Sequence, residues 1–317
     1  MSNAQFMNFE TTGVKTGNGY IQIPMWEKQI LDLVGKRGTL LRRMATKKAT
    51  GNPTRYFEKR PSEKSASFQD PHALSANKFK ANRVHKSAFV KAITNEIEFS
   101  HFDREVANQQ GMYNGLTEED IRDMVNDLLT LQDEKVWTGN DTALAESTTD
   151  EYVGILTQLT QTGEIKEDVK ICDAIRTEVA RLSARTDYDV KPSAIYVNPL
   201  TYDLIEQEEQ ARPTNHKHYE VELQAGIKVI GVMTAMGVLP IIADPYLPVV
   251  DGQHKIVILT ESLCTRYYVG SDKPRIFGFG IQDESLNEKY MALQYDCIVA
   301  KGADYAHTVL TKIVASV

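Results

Sequence analysis

The chain has 317 residues, 42% hydrophobic and 25% charged, with a mean hydropathy of -0.36. That composition excludes an intrinsically disordered chain, a collagen-like repeat and a disulfide scaffold, and the length allows about two domains. The net charge of -7 conceals a division: from Lys36 to Lys91 fifteen Lys/Arg face only Glu58, Glu63 and Asp70, a balance of +12, while the remainder, with 21 basic and 40 acidic residues, stands at -19.

The first twenty residues are polar and rich in Gly, Thr and Asn. They lack the apolar core of a signal peptide, and no apolar run approaches the ~20 residues of a membrane-spanning helix. The expectation is a product made in a cytoplasm and not exported. Cys172, Cys264 and Cys297 are far apart in apolar surroundings and read as buried, reduced thiols. A short amphipathic piece over 25–34 and the basic run 36–48 read as an extended arm. Residues 51–91 carry few aliphatics. Strand-like pieces at 54–59 and 83–99 flank a polar middle, which predicts a long two-stranded excursion with a loose tip. An isolated ribbon of that kind is marginal in water, so it needs another surface to lie on.

The clearest element is a helix over 117–139. Thr117 and Asp120 form the acidic variant of a capping box, and Ile121, Met124, Val125, Leu128, Leu129, Leu131 and Val136 mark its apolar face. Gly139 suits a left-handed C-terminal cap. The length is roughly 30 Å. The helix carries Glu118, Glu119, Asp120, Asp123, Asp127, Asp133 and Glu134 against Arg122 and Lys135. From about residue 166 the pattern alternates between α and β. Asp168 is placed to cap a helix with Ile171, Ile175, Val179 and Leu182 inward. A strand at 194–197 is followed by Asn198-Pro199, a strong helix start. Further strands are expected at 227–232, 238–243, 256–260, 264–269, 275–279, 288–300 and 307–314. Pro240 predicts an edge or bent strand.

Chemical motifs are sparse. His216 and His218 lie in a polar loop without ligands at a zinc-finger spacing, so a solvated loop outweighs a metal site. Gly278-Phe279-Gly280 lacks the third glycine of a dinucleotide fingerprint and reads as a bulge in a strand. Asp244, Asp251 and Asp272 sit beside or close to Pro or Gly, where turn formation explains them. No catalytic, cofactor or metal site is expected. The basic run has three readings: nucleic-acid binding, a solvated face, or contact with the acidic remainder of a neighbouring copy. The large acidic surplus favours the third.

The order of elements resembles that of the major capsid proteins of tailed bacteriophages, the Hong Kong 97-type fold. The residues that carry the likeness are Asp133-Glu134-Lys135-Val136-Trp137-Thr138-Gly139-Asn140 followed by 151–156, similar to a spine-helix exit and its following strand. Pro192-Ser193-Ala194-Ile195-Tyr196-Val197-Asn198-Pro199 and the 237–248 segment resemble strand-to-helix and strand-to-turn steps of the A-domain. The resemblance implies an α+β architecture. Its parts would be an N-terminal arm (1–50), an E-loop (51–100), a first P-domain part (101–165) with the spine helix at 117–138, an A-domain (166–270), P-domain return strands (271–302) and a C-terminal strand (303–317) of either domain.

The implied function is structural, not enzymatic: a head protein that assembles as hexamers and pentamers around double-stranded DNA in a virion. The rival readings are an encapsulin-type compartment shell and a soluble α/β enzyme. The resemblance implies self-association first, then a portal. A separate scaffolding protein is also expected because no scaffolding-like helix precedes the arm, and a decoration protein is an open addition. Lys78, Lys80, Arg83 and Lys86 of the ribbon, set against Glu118, Glu119, Asp123 and Asp127 of the helix, are the expected contacts between copies.

Overall fold

The computed structural model describes residues 38–62, 64–72, 78–109, 113–211, 219–224, 227–281 and 287–314. Most of the expected arm and the 216–218 loop therefore lie outside the described residues. The described chain opens with one helical turn, α1 (Leu40–Arg43), and β1 (Ala45–Lys48), followed by β2 (Thr54–Arg60), β3 (Asn82–Ala88) and β4 (Lys91–Ser100). Helices α2 (His101–Gln109), α3 (Tyr113–Thr138) and α4 (Ile155–Gln158) come next, then β5 (Thr162–Ile165), α5 (Ile171–Ser183), β6 (Ala194–Val197) and α6 (Pro199–Gln210). The remaining strands are β7 (Tyr219–Gln224), β8 (Ile227–Thr234), β9 (Gly237–Ala243), β10 (Gln253–Leu259), β11 (Cys264–Tyr268), β12 (Arg275–Ile281), β13 (Asn287–Ala300) and β14 (Thr308–Ile313).

The strands form three sheets. A seven-stranded sheet runs β5-β14-β10-β6-β9-β8-β7. In a five-stranded sheet β1, β11, β13 and β12 follow one another and β4 also pairs with β13. The third sheet is the two-stranded ribbon β2-β3. The C-terminal strand thus belongs to the seven-stranded sheet. The expected continuous strand at 83–99 is broken at Phe89-Val90: β3 stays in the ribbon, while β4 pairs along β13 from Lys91 to Ser100.

Side-chain alternation buries the central strands of the seven-stranded sheet on both faces. In β6, Ala194 and Tyr196 face one core, and Ile195 and Val197 face the other. In β10, Val257 and Leu259 join the first core, Ile256 and Ile258 the second. The second core is closed by α5, whose Ile171, Ile175, Val179 and Leu182 are all fully buried as the helical period predicts. The first core joins the sheets, bringing Trp137 of α3, Leu40 of α1, Ile155 of α4 and Ile298 of β13 against Tyr196. The Trp137 and Tyr196 rings lie 5.6 Å apart.

Helix α3 has 26 residues, about 39 Å. It begins at Tyr113, so Thr117 stands inside it and cannot cap it; the preceding turn already supplies acceptors for the amides there. Met124 and Leu128 pack with Ala292 of β13 and with Ile93 and Ile97 of β4. Gly139 is not left-handed. It is required by close approach: a Cβ there would stand 2.5 Å from the Tyr152 carbonyl oxygen and 2.7 Å from that of Lys135. Gly154 is pressed in the same way against the Trp137 carbonyl, at 2.5 Å. The 151–156 segment makes only a single bridge, Asn140 with Val153, before α4 begins, where a strand was expected.

Two other local expectations change. Asp168 does not cap α5; the Glu208 carboxylate of α6 accepts from the Ile171 amide at 2.7 Å. Strand β9 is interior, although it contains Pro240. The proline stands opposite Gly231 of β8, and the ladder to β6 begins one residue later, at Ile241. Asn198 caps α6 with Pro199 behind it, and β12 breaks register between Gly278 and Ile281, both as the sequence predicts. All three cysteines are buried, and none forms a disulfide.

Candidate assembly surface

Ribbon pairing sets Tyr56 opposite Lys86, Phe57 opposite His85, Glu58 opposite Val84 and Lys59 opposite Arg83. Alternation then gives the ribbon two unlike faces. The inner face lies on the subunit's own body. Tyr56 packs with Ala88, Tyr267, Cys297 and Val299, and Lys301 sits over the rings of Tyr56 and Tyr267 at 5.5 and 5.4 Å. The buried Glu58 carboxylate accepts the Gly302 amide at 3.1 Å and pairs with the Lys86 ammonium at 2.7 Å. Arg60 bonds Asp304 and lies over the Tyr305 ring. Burial works against the Asp304 charge, but the Arg60 bond outweighs it and holds the carboxyl below its ordinary range. Burial, with the Glu58 charge adding to it, pushes the Tyr56 hydroxyl well above the usual phenol value.

The outer face is different. Arg55, Phe57, Lys59, Arg83 and His85 are all exposed, with the Phe57 and His85 rings edge to face at 5.3 Å. Beyond Arg60 the described chain has no regular structure until Asn82. It leaves Phe68 fully in solvent and Phe79 68% exposed, beside Lys64, Lys78 and Lys80. A phenylalanine held in water forgoes about 1.5–3 kcal/mol of burial.

The basic segment therefore divides. Arg43 forks onto Glu261 at 2.5 and 3.0 Å, Arg60 holds Asp304, Lys86 holds Glu58 and the buried Lys91 holds Asp141 at 2.6 Å. Burial disfavours the Asp141 charge, yet Lys91 and the Thr148 and Thr142 donors bring its carboxyl down to about 2. Arg55, Lys59, Lys64, Lys78, Lys80 and Arg83 have no such partner among the described residues. Of the four expected ribbon contacts, Lys78, Lys80 and Arg83 are free cations, while Lys86 already neutralises Glu58.

On the helix, Glu119 pairs with Arg122 one turn on, Asp123 is exposed, and Asp127 accepts from the Asn95 side chain at 2.9 Å. The Glu118 side chain lies outside the described residues. Burial, aided by the Asp123 charge, raises the neighbouring Asp120 carboxyl. Among the described residues, no ribbon cation contacts a helix acid within one subunit.

Two acids do unforeseen work at the root of the arm. Asp244 makes the turn contact with the Tyr246 amide, but its other oxygen accepts the Thr39 amide (2.8 Å), the Thr39 hydroxyl (2.9 Å) and the Leu40 amide (3.2 Å). Asp133 of α3 accepts the Gly38 amide at 2.9 Å. Together they hold the described segment Gly38, Thr39 and Leu40 against α3 and the turn after β9. The following proline makes Asp244 look like a turn residue, and nothing in the sequence signals the second role. Among the described residues, no group of three or more His, Cys, Asp or Glu is placed to hold a metal ion, and no helix is long and apolar enough to cross a membrane.

No family model and no curated protein sequence matches the chain. Solved structures do. The capsid of the native GTA particle superposes with a TM-score of 0.65 at 11% identity, covering 95% of this chain and 98% of that one. A chain of Gordonia phage Cozz gives 0.60 at 14% identity, covering 92% of each chain. The holo-SrpI encapsulin complex from Synechococcus elongatus gives 0.59 at 13% identity, covering 98% of this chain and 95% of that one. This chain has the Hong Kong 97-type capsid fold. Among the described residues, exposed apolar surface includes the outer face and tip of the ribbon and β12, an edge strand whose Ile276, Phe277 and Phe279 are exposed.

Proposed function

We propose that the chain is the major head protein of a tailed bacteriophage, assembling as hexamers and pentamers into an icosahedral shell around double-stranded DNA. The observation that supports this reading, beyond the fold, is the ribbon. Its base is built into the subunit by Tyr56, Glu58 and Arg60, but its rings and free cations at Phe57, Phe68, Phe79, Lys78, Lys80 and Arg83 face solvent. A single subunit gains nothing from such a segment; a neighbouring copy that covers it does. In this reading 51–90 is the E-loop. Strand β4 passes with α3, β12 and β13 to the P-domain, and the seven-stranded sheet with α5 and α6 forms the A-domain. The chain acts as structure and not as catalyst, made in a bacterial host cytoplasm and carried in the virion. A portal, a separate scaffolding protein and an optional decoration protein complete the set of partners. The net acidity of the body suits a container that must release its DNA, because each Lys/Arg–phosphate contact adds affinity.

A second reading, an encapsulin-type compartment, is favoured by the likeness to the encapsulin complex over nearly the whole chain. Electron microscopy of the expressed chain tests both: shells or capsomers are expected, and a compact monomer at all concentrations overturns them. Co-expression with the neighbouring genes separates the two, since a head fills with nuclease-protected DNA and an encapsulin with a protein cargo.

A further inference from the structure

Among the described residues, the chain passes between the five-stranded and seven-stranded sheets at three places: 159–161 after α4, 260–263 between β10 and β11, and 301–307 between β13 and β14. All three meet at the last of these. The Lys301 amide donates to the Leu263 carbonyl at 3.1 Å, and the Thr160 amide to that of Ala303 at 3.4 Å. Thr260 donates through its hydroxyl to the Ala306 carbonyl (3.0 Å) and through its amide to His307 Nδ1 (3.1 Å). Within the turn the Gly302 carbonyl accepts the Tyr305 and Ala306 amides, and Gly302 itself is left-handed, at φ 69°.

The base of the ribbon is fastened to the same turn. Glu58 accepts the buried Gly302 amide, Arg60 bonds Asp304 and lies over the Tyr305 ring, and Lys301 lies over the ring of Tyr56. The Tyr305 ring also stacks on Tyr188 at 3.8 Å, and its carbonyl accepts from Arg185. Each part needs the other. A two-stranded ribbon is marginal without a surface to lie on, and without Glu58 the Gly302 amide loses its acceptor. We propose that the 301–307 turn is a coupling element: docking of Glu58 and Arg60 orders the turn, and the ordered turn holds the three crossings between the sheets together. By linkage the effect runs both ways, so a change that frees the ribbon loosens the crossings, and a change at the crossings loosens the ribbon. The coupling belongs to the single subunit and does not depend on the shell.

Hydrogen exchange of the full chain, followed by mass spectrometry, reads both directions. Arg60→Ala is expected to speed exchange in the ribbon strands (54–60 and 82–88), in the turn, and also at 257–263, which none of its bonds reaches. The expected rise is at least roughly tenfold, the effect of one lost hydrogen bond to a charged group. Thr260→Val removes the hydroxyl bond to Ala306, and neither of these Thr260 bonds goes to the ribbon. It is nonetheless expected to speed exchange at 54–60 and 82–88, while Thr260→Ser, which keeps the hydroxyl, leaves the ribbon as it was. Phe57→Ala, on the exposed outer face, should leave the crossings unchanged. The proposal is overturned if the effect of Arg60→Ala stops at the ribbon and turn, or if that of Thr260→Val stops at the crossings. A rise spread evenly over α5 and β6 overturns it as well, because the whole subunit has then loosened and not the turn. The double variant separates coupling from two independent losses. Its exchange at 300–308 should rise by less than the product of the two single effects, and a full product counts against the proposal.

Discussion

The seven-stranded sheet and the ribbon are both β-structure, yet they use alternation for opposite ends. In β6 and β10 successive side chains enter two different cores, so every residue of β6 is buried. In β2 the same alternation places Tyr56 and Glu58 on the body and Arg55, Phe57 and Lys59 in water. Substitutions in the sheet should therefore act on the subunit, and those on the ribbon's outer face should act on the assembly. The comparison fails if both regions respond alike.

The largest contrast is between two aromatic truncations. Trp137→Ala empties the centre of the core that joins the sheets, and should cost about 3–5 kcal/mol in urea unfolding of the monomer. Phe57→Ala removes an exposed ring, and should stay within about 0.5 kcal/mol by the same measurement. Equal losses would show that the ribbon is part of the subunit's own core.

The next effect is set by pH. His307 is buried behind the sheets. Its Nδ1 accepts the Thr260 amide at 3.1 Å, and its Nε2 meets the Lys301 carbonyl at 3.0 Å. Burial lowers its pKa from 6.5 to about 4. The folded state thus binds fewer protons than the unfolded chain between these values. Stability is fully present above about pH 6.5, falls as pH drops toward 4, and levels off below, with a total loss of roughly 3 kcal/mol. His307→Asn, which keeps an acceptor without titrating, should flatten the pH 4–6.5 part of an unfolding profile. An unchanged slope would assign that acid sensitivity to other groups.

At the root of the arm, Asp244→Ala leaves the Thr39 and Leu40 amides without their acceptor. The expected loss is roughly 2 kcal/mol, of the size of a lost helix cap with charge-assisted bonds. Hydrogen exchange should localise it to the segment around Leu40, sparing β6 and β10. Uniform loss of protection would place Asp244 within the core sheet.

What was legible in the sequence follows from the range of each interaction. The apolar period of α5, the Asn198-Pro199 start of α6 and the register break at Gly278 are local, and the structure shows each one. Long-range partners were not legible. Asp168 reads as a cap until Glu208 is seen to bind Ile171 instead. Gly139 reads as a left-handed stop until the Tyr152 carbonyl is seen to occupy the space of its Cβ. Lys86 reads as one more exposed cation because its partner Glu58 is twenty-eight residues away in sequence and diagonal to it in the ribbon. Pro240 fails for the same reason: whether a proline suits an inner strand depends on where the neighbouring ladder begins.

Lys86 also sharpens the smallest predicted effect on stability. Reversing the exposed cations with Lys78→Glu, Lys80→Glu and Arg83→Glu should change monomer unfolding by less than about 0.5 kcal/mol, because none has an ion-pair partner among the described residues. Shell formation, followed by sedimentation, should nevertheless be abolished at low salt, since the acidic body of a neighbour would meet added acid. Lys86→Glu behaves differently. It sets a second carboxylate beside the buried Glu58 and should destabilise the ribbon base before any assembly step. The two variants thus separate the charges that hold the ribbon to its own subunit from those left for a neighbour. If the triple reversal assembles normally while Lys86→Glu alone fails, the ribbon's cations serve the fold, and contact between copies rests on its aromatic rings.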